Sequence, residues 1–270
     1  MILLLLLLLA PVWSAAQQPK NEQPDYAFLA SSAYLQNKAT MQLITFGRID
    51  TRRGDASFPS VFLRTEWGLT DRWELDLVTT GQGADFVTRG DSLLGTRFNL
   101  LDETKGRPFS LSMGPQLLFP TGHVGLGTSL GRLGYAWDVT ASKDFGGPFF
   151  TYYGVNYAAT PRPDFVFNTL NWSFALGMRP LERDTPSGGH HDIHLFAEYA
   201  GTRQNSVDGR LKTTTLTSAA APGIRYGYKT KQDTLIEIGV SVPLGLTHAS
   251  PNYGWIVQLQ FETNLPGKHN

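Results

Sequence analysis

The sequence predicts an all-β fold, a closed antiparallel up-and-down transmembrane β-barrel of about twelve strands. Three observations carry the prediction. Segments of about ten residues alternate apolar and polar side chains from Met41 to Phe261, the period-two pattern of a strand. Tight turns and longer Gly/Pro-rich loops separate these segments in rough alternation, as in an outer-membrane barrel. The minor face consists of Gly, Ser, Ala, Asn and Gln with isolated Arg, Glu and Asp. A soluble sandwich would turn a face rich in Lys and Glu to water, so a confined, hydrated interior fits better.

The totals agree. The 270 residues include 23 basic and 23 acidic ones, so the overall charge gives no reason to expect nucleic acid as a partner. Charged residues make up 17%, below the roughly 25% of soluble domains. Aromatics make up 12%, which argues against disorder. There is no cysteine, which excludes disulfides, thiol catalysis and thiolate metal sites.

Residues 2–10 form an uninterrupted apolar run ended by Pro11, and Ser14, Ala15 and Ala16 offer a small-residue cleavage site. Residues 1–16 therefore read as a signal peptide, although no Lys or Arg precedes the run. The run is far short of the roughly 20 residues of a spanning helix, so membrane residence means a barrel. Residues 17–40, polar and carrying Pro19 and Pro24, read as a solvated periplasmic N-terminal segment. Residues 41–262 are expected to form the barrel in the cell outer membrane, followed by a polar tail over residues 263–270, with both termini periplasmic.

Within the barrel, residues 41–49 give a first strand and residues 61–80 a hairpin about Thr70, Asp71 and Arg72. Alternation resumes over residues 91–101, 109–120, 133–142, 149–157, 170–179, 193–199, 220–228, 234–242 and 253–261. Residues 158–167, 180–191 and 201–215 read as loops. Pro115 cannot donate to a ladder and predicts a bulge. On the apolar face, Trp67, Trp73, Trp137, Tyr157, Tyr228, Tyr253 and Phe261 lie near strand ends, where membrane-interface aromatics belong. Ile238 falls on the lipid face and Gly239 on the lumen face, where a serine should be tolerated.

The blocks LRTEWGLTDRWELDL (residues 63–77), LGTRFNLLDE (94–103), FPTG (119–122) and ASKDFGG (141–147) together resemble a family of bacterial outer-membrane transporters. That family is named after the meta pathway of phenol degradation, and the resemblance covers roughly residues 60–261. It implies a twelve-strand-type barrel and a role in the uptake of hydrophobic or aromatic compounds. The family has no agreed catalytic residues to carry over.

Arg64, Glu66, Glu74, Asp76, Arg97, Arg179, Glu198, Arg225 and Glu237 share the predicted lumen face. They could form a charge-selective constriction or ion-paired plugs in a filled lumen. Unpaired buried charge is expensive, and that favours the plugs. In the first hairpin, three carboxylates outnumber Arg64, so they must find Arg97, Arg179 or Arg225 across the barrel or leave an acidic patch. His190, His191 and His194 bring no fourth ligand pattern and read as a polar turn, so no metal is expected. Gly122, Gly125 and Gly127 lack the phosphate-cradling order and a βαβ context. His123 with Ser129, and His248 with Ser250, share predicted external loops but lack a nucleophile elbow. The sequence therefore favours a channel or transporter for small solutes, without catalytic residues or cofactor. A lipid-acting acyl hydrolase and a purely structural barrel are the alternatives. Expected partners are outer-membrane lipid, a small-molecule solute and the barrel-assembly machinery.

Overall fold

The computed structural model describes residues 26–51, 58–82, 88–161, 166–186, 188–208 and 211–265. The expected signal peptide, the start of the N-terminal segment and the last five residues lie outside these. Twelve long strands run up and down in sequence: β1 (Thr40–Thr51), β2 (Phe58–Thr70), β3 (Trp73–Gln82), β4 (Ser92–Leu101), β5 (Ser110–Phe119), β6 (Gly134–Asp144), β7 (Phe149–Pro161), β8 (Val166–Asp184), β9 (His190–Asp208), β10 (Leu211–Lys229), β11 (Leu235–Ser241) and β12 (Tyr253–Asn264). Two-residue strands, Thr88–Arg89 and Leu244–Gly245, flank β3 and β12. Each long strand pairs antiparallel with the next. The sheet closes where β1 meets β12 in one unbroken register from Thr40↔Asn264 to Thr51↔Tyr253. Closure pairs the strands on both sides through the body of the barrel, where hydrocarbon would not satisfy an open edge.

The two faces separate as alternation requires. Ile238, Val257, Leu259 and Trp255 are each more than half exposed, whereas Glu66, Glu74, Asp76 and Arg97 are fully buried. The outside is thus an apolar belt and the inside is polar, the inverse of a water-soluble barrel. Both ends of the barrel chain, Thr40 and Asn264, lie at one end. The turns between β2 and β3, β4 and β5, β6 and β7, β8 and β9, and β10 and β11 share that near end. At the β6–β7 turn, Gly146 and Gly147 take φ of 73° and 66°, backbone values that side chains with a Cβ rarely adopt.

Four expectations change. Over residues 26–39 the supposed solvated leader is packed inside the barrel: Tyr26, Ala27, Phe28, Ala30 and Ala33 are all buried. The predicted loops at residues 158–167, 180–191 and 201–215 are largely strand, because β8, β9 and β10 each run for 19 residues. The far halves of β9 and β10 carry Thr, Asn and Gln on both faces and are held by backbone ladders, with side-chain bonds to β8 such as Asn205 Nδ2 to Asn168 Oδ1 (2.9 Å). Alternation marks a strand only where one face meets lipid or core. Pro115 makes no bulge: the β4–β5 pairing skips from Gly95↔Gln116 to Phe98↔Met113 without changing register. The shift falls instead at Asn99/Leu101. Finally, the tail expected from residue 263 begins later, because β12 pairs through Asn264.

Candidate functional site

Residues 26–39 form the centre of the site. A tight loop, closed by Ala27 N–H to Ala30 O (2.9 Å) and a Tyr26↔Ser31 bridge, enters the near half of the lumen. Its backbone is held by side chains of the wall. Glu198 of β9 accepts from three successive amides, Phe28 (2.9 Å), Leu29 (2.7 Å) and Ala30 (2.9 Å). Arg97 of β4 donates to Ser32 O at 2.9 Å. Ser142 of β6 accepts from Ala33 N–H at 2.7 Å, and Ser112 of β5 donates to Ala33 O at 2.5 Å. Glu74 of β3 accepts from Gln36 N–H at 2.7 Å, and Arg225 of β10 donates to Tyr26 O. Buried backbone groups must be paired. Here the barrel wall pairs them, in place of a helix or sheet.

Apolar packing adds to this. Phe28 meets Phe196 edge-on at 5.7 Å, Phe150 meets Phe196 at 5.9 Å, and Tyr34 meets Tyr152 at 6.3 Å. Phe28 sits over two glycines: a Cβ on Gly223 or Gly239 would come within 2.5 Å or 2.7 Å of its ring. The expectation that Gly239 tolerates serine is therefore reversed. Gly68 is likewise needed, since a Cβ there would stand 1.9 Å from Asn37 O, and its own carbonyl accepts from Ala39 N–H at 2.9 Å.

The nine charged residues expected on the lumen face are all buried or half-buried in the interior. They do not form one ring. Arg64 lies 2.8 Å from Glu66 and 2.5 Å from Asp76, and Arg97 lies 2.7 Å from Glu74 and 3.7 Å from Glu66. The Tyr26 hydroxyl donates to Glu66 at 2.5 Å, and its ring lies 4.5 Å from the Arg64 guanidinium. The acid surplus of the first hairpin is thus met by Arg97 and by donors from the plug. Arg179 pairs with Asp144 at 2.6 Å, and Arg225 with Glu237 at 2.9 Å. Glu198 faces plug amides rather than an arginine side chain at comparable distance. At the near-end turn between β4 and β5, Glu103 accepts from Tyr34 and Asp144 N–H and pairs with Lys143 at 3.3 Å. Burial nevertheless holds its carboxyl above the usual range.

Above the plug, a polar belt crosses the wall: Asn156 donates to Gln116 (3.2 Å), Asn171 to Asn156 (3.2 Å) and Thr202 to Asn171 (2.8 Å). Outside, Trp67, Trp73, Tyr228 and Phe261 lie toward the near end, and Trp137, Tyr157 and Tyr253 toward the far end. Trp73 stacks on Phe98 at 5.6 Å, and Trp137 pairs in register with Tyr157. In the far-end loops, Ser129 Oγ accepts from Gly131 N–H at 2.9 Å. Ser250 Oγ accepts from Ser218 N–H and donates to Ser218 O. These contacts give both hydroxyls structural roles.

Sequence reasoning missed the interior aromatics Phe150, Tyr152 and Phe196 as a cluster. Their positions on the minor face were legible, but nothing in the pattern showed that the N-terminal segment would pack on them. It also missed the convergence of Asp192 and His194 with Glu237, whose ligand atoms all lie within 4.8 Å of one another. The three histidines do not form one polar turn: they open β9, with His190 and His194 turned inward and His191 turned outward against Tyr226.

No protein-family model matches the chain, and no curated relative matches it. Among solved structures it is similar to an outer membrane channel from Pseudomonas putida F1, at 14% identity and a TM-score of 0.54, covering 89% of this chain and 99% of that one. It is also similar to the NanC porin, at 11% identity and a TM-score of 0.52, covering 83% of this chain and 100% of that one. At these identities the likeness establishes the fold, a closed barrel of the outer-membrane type.

Proposed function

We propose that this protein is an outer-membrane channel for small solutes whose lumen is closed by its own N-terminal segment. The observation that carries the reading is the segment over residues 26–39, fixed inside a twelve-strand barrel by wall side chains rather than by a sheet of its own. A barrel of this size encloses more space than wall side chains alone fill, unlike an eight-strand one. Side-chain-to-backbone bonds can be exchanged for bonds to water when the segment withdraws, so each costs only a fraction of its gross strength. Withdrawal would leave Phe150, Tyr152 and Phe196 beside paired charges, a surface suited to a small hydrophobic or aromatic solute. The apolar outer face with aromatics toward both ends supports residence in a bilayer, and with it lipid contact and insertion by the barrel-assembly machinery.

The test is conductance in planar bilayers, with solute-swelling of liposomes alongside. The intact chain should conduct little, and a chain lacking residues 26–38 should conduct steadily and admit small aromatic solutes. Equal conductance of the two would remove the plug from the reading. Absence of any permeation in both would remove the channel.

A further inference from the structure

We propose that Asp192, His194 and Glu237 form a binding site for one divalent transition-metal ion of the zinc class. The three ligand atoms lie within 4.8 Å of one another, and all three residues are buried. The strand register explains why they converge. Asp192 of β9 faces Gly227 of β10, and Gly227 in turn faces Glu237 of β11. The middle residue of this row has no side chain. A Cβ at Gly227 would stand 2.2 Å from Asp192 Oδ1, so glycine lets carboxylates from strands two apart approach each other. His194, two residues along β9, joins from the same face, with Nδ1 3.5 Å from Asp192 Oδ1.

His194 is the second, independent observation. It is 1% exposed, and neither of its ring nitrogens has a hydrogen-bond partner. A buried imidazole normally satisfies at least one nitrogen, since an orphaned polar atom is costly. Phe150 and Phe196 flank the ring at 5.9 and 6.2 Å and offer it no conventional acceptor. A metal ion would take one nitrogen as a ligand.

The donor set selects the ion. One imidazole and two carboxylates suit zinc or a neighbouring first-row ion, whereas magnesium and calcium prefer oxygen alone. Tetrahedral ligand bonds of about 2.0–2.2 Å place ligand atoms roughly 3.3–3.6 Å apart, so the three atoms must draw together by up to about 1.5 Å from their present spread. Arg225 already lies 2.9 Å from Glu237, so the cation would share this carboxylate with a guanidinium. His190 and Lys229, one inward-facing position nearer the end than Asp192 and Gly227, line a pocket at the near-end rim.

The full-length protein, folded in detergent micelles, is equilibrated with Zn²⁺ in the presence of excess Mg²⁺, and bound zinc is counted by atomic emission. One Zn²⁺ per chain is expected, together with a rise in the unfolding midpoint with zinc concentration. His194→Gln and Glu237→Gln should each weaken binding at least tenfold while heat-modifiable migration shows an intact barrel. His123→Ala and His248→Ala should leave it unchanged. X-ray absorption of the zinc-loaded wild type needs no variant and should show an N/O shell containing a single imidazole. No stoichiometric zinc, a shell with two or more imidazoles, or binding indifferent to both glutamine variants would overturn the site. None of these readouts depends on channel activity.

Discussion

Glu198 reaches from the middle of β9 to the backbone of Leu29, with its Oε2 2.7 Å from the Leu29 nitrogen. The same carboxylate holds the amides on either side, Phe28 and Ala30. A barrel-wall acid thus takes the place of the sheet that would otherwise pair these groups. Hydrogen bonds to a charged acceptor contribute roughly 1.5–3 kcal/mol each. Glu198→Ala should therefore favour the withdrawn segment by tenfold or more. Amide exchange over residues 26–34 should accelerate in the variant, while the strand amides stay protected. Unchanged exchange would show that the aromatics and the other wall contacts hold the segment without Glu198.

The contact between Phe28 and Gly239 makes a steric prediction. A serine at Gly239 must push against the ring, and overpacking of this kind costs about 1–3 kcal/mol. Gly239→Ser alone should expel or strain the plug, and Phe28→Ala in the same chain should relieve the effect. The double-mutant cycle in conductance and stability measures the coupling. Additive effects would mean that the ring and the glycine do not share one space.

Ile238, one residue away, points to the opposite side and is 55% exposed. Arginine there places a charge on the apolar belt between Tyr226 and Leu259, its register partners. Unfolding by denaturant in lipid bilayers should show a loss of about 2–4 kcal/mol. A loss near zero would indicate that this position does not meet hydrocarbon.

Glu103 predicts a pH dependence at the near end. Burial, the largest influence, raises its carboxyl, and the Tyr34 hydroxyl, Lys143 and the Asp144 amide offset this only in part. A raised acid costs stability above its folded-state value, and that cost disappears below the ordinary carboxylate value of about 4.3. Between those two values stability should fall as pH rises. Comparing wild type with Glu103→Gln across that window checks it: the variant should lack this part of the fall.

By itself the sequence determined the strand count, the inside and outside of the strands from the first hairpin onward, the positions of the aromatics and the nine buried charges, because all of these follow from period-two alternation against an apolar surround. It also determined that the first hairpin carries more acid than base. It left open what balances that acid, because the balancing groups come from elsewhere in the chain. Arg97 arrives from the next strand over, and Tyr26 and the Gln36 amide come from a short segment with no strand period to read. The full length of the 19-residue strands was hidden for a related reason: the far halves of β9 and β10 have no apolar face, and only ladder pairing defines them. The meeting of Asp192, His194 and Glu237 depends on register across three strands and on the missing side chain at Gly227. Tertiary structure alone decided that residues 26–39 enter the lumen. The wall offers Glu198, Arg97 and Glu74 as partners for bare backbone, and two glycines as the floor for Phe28.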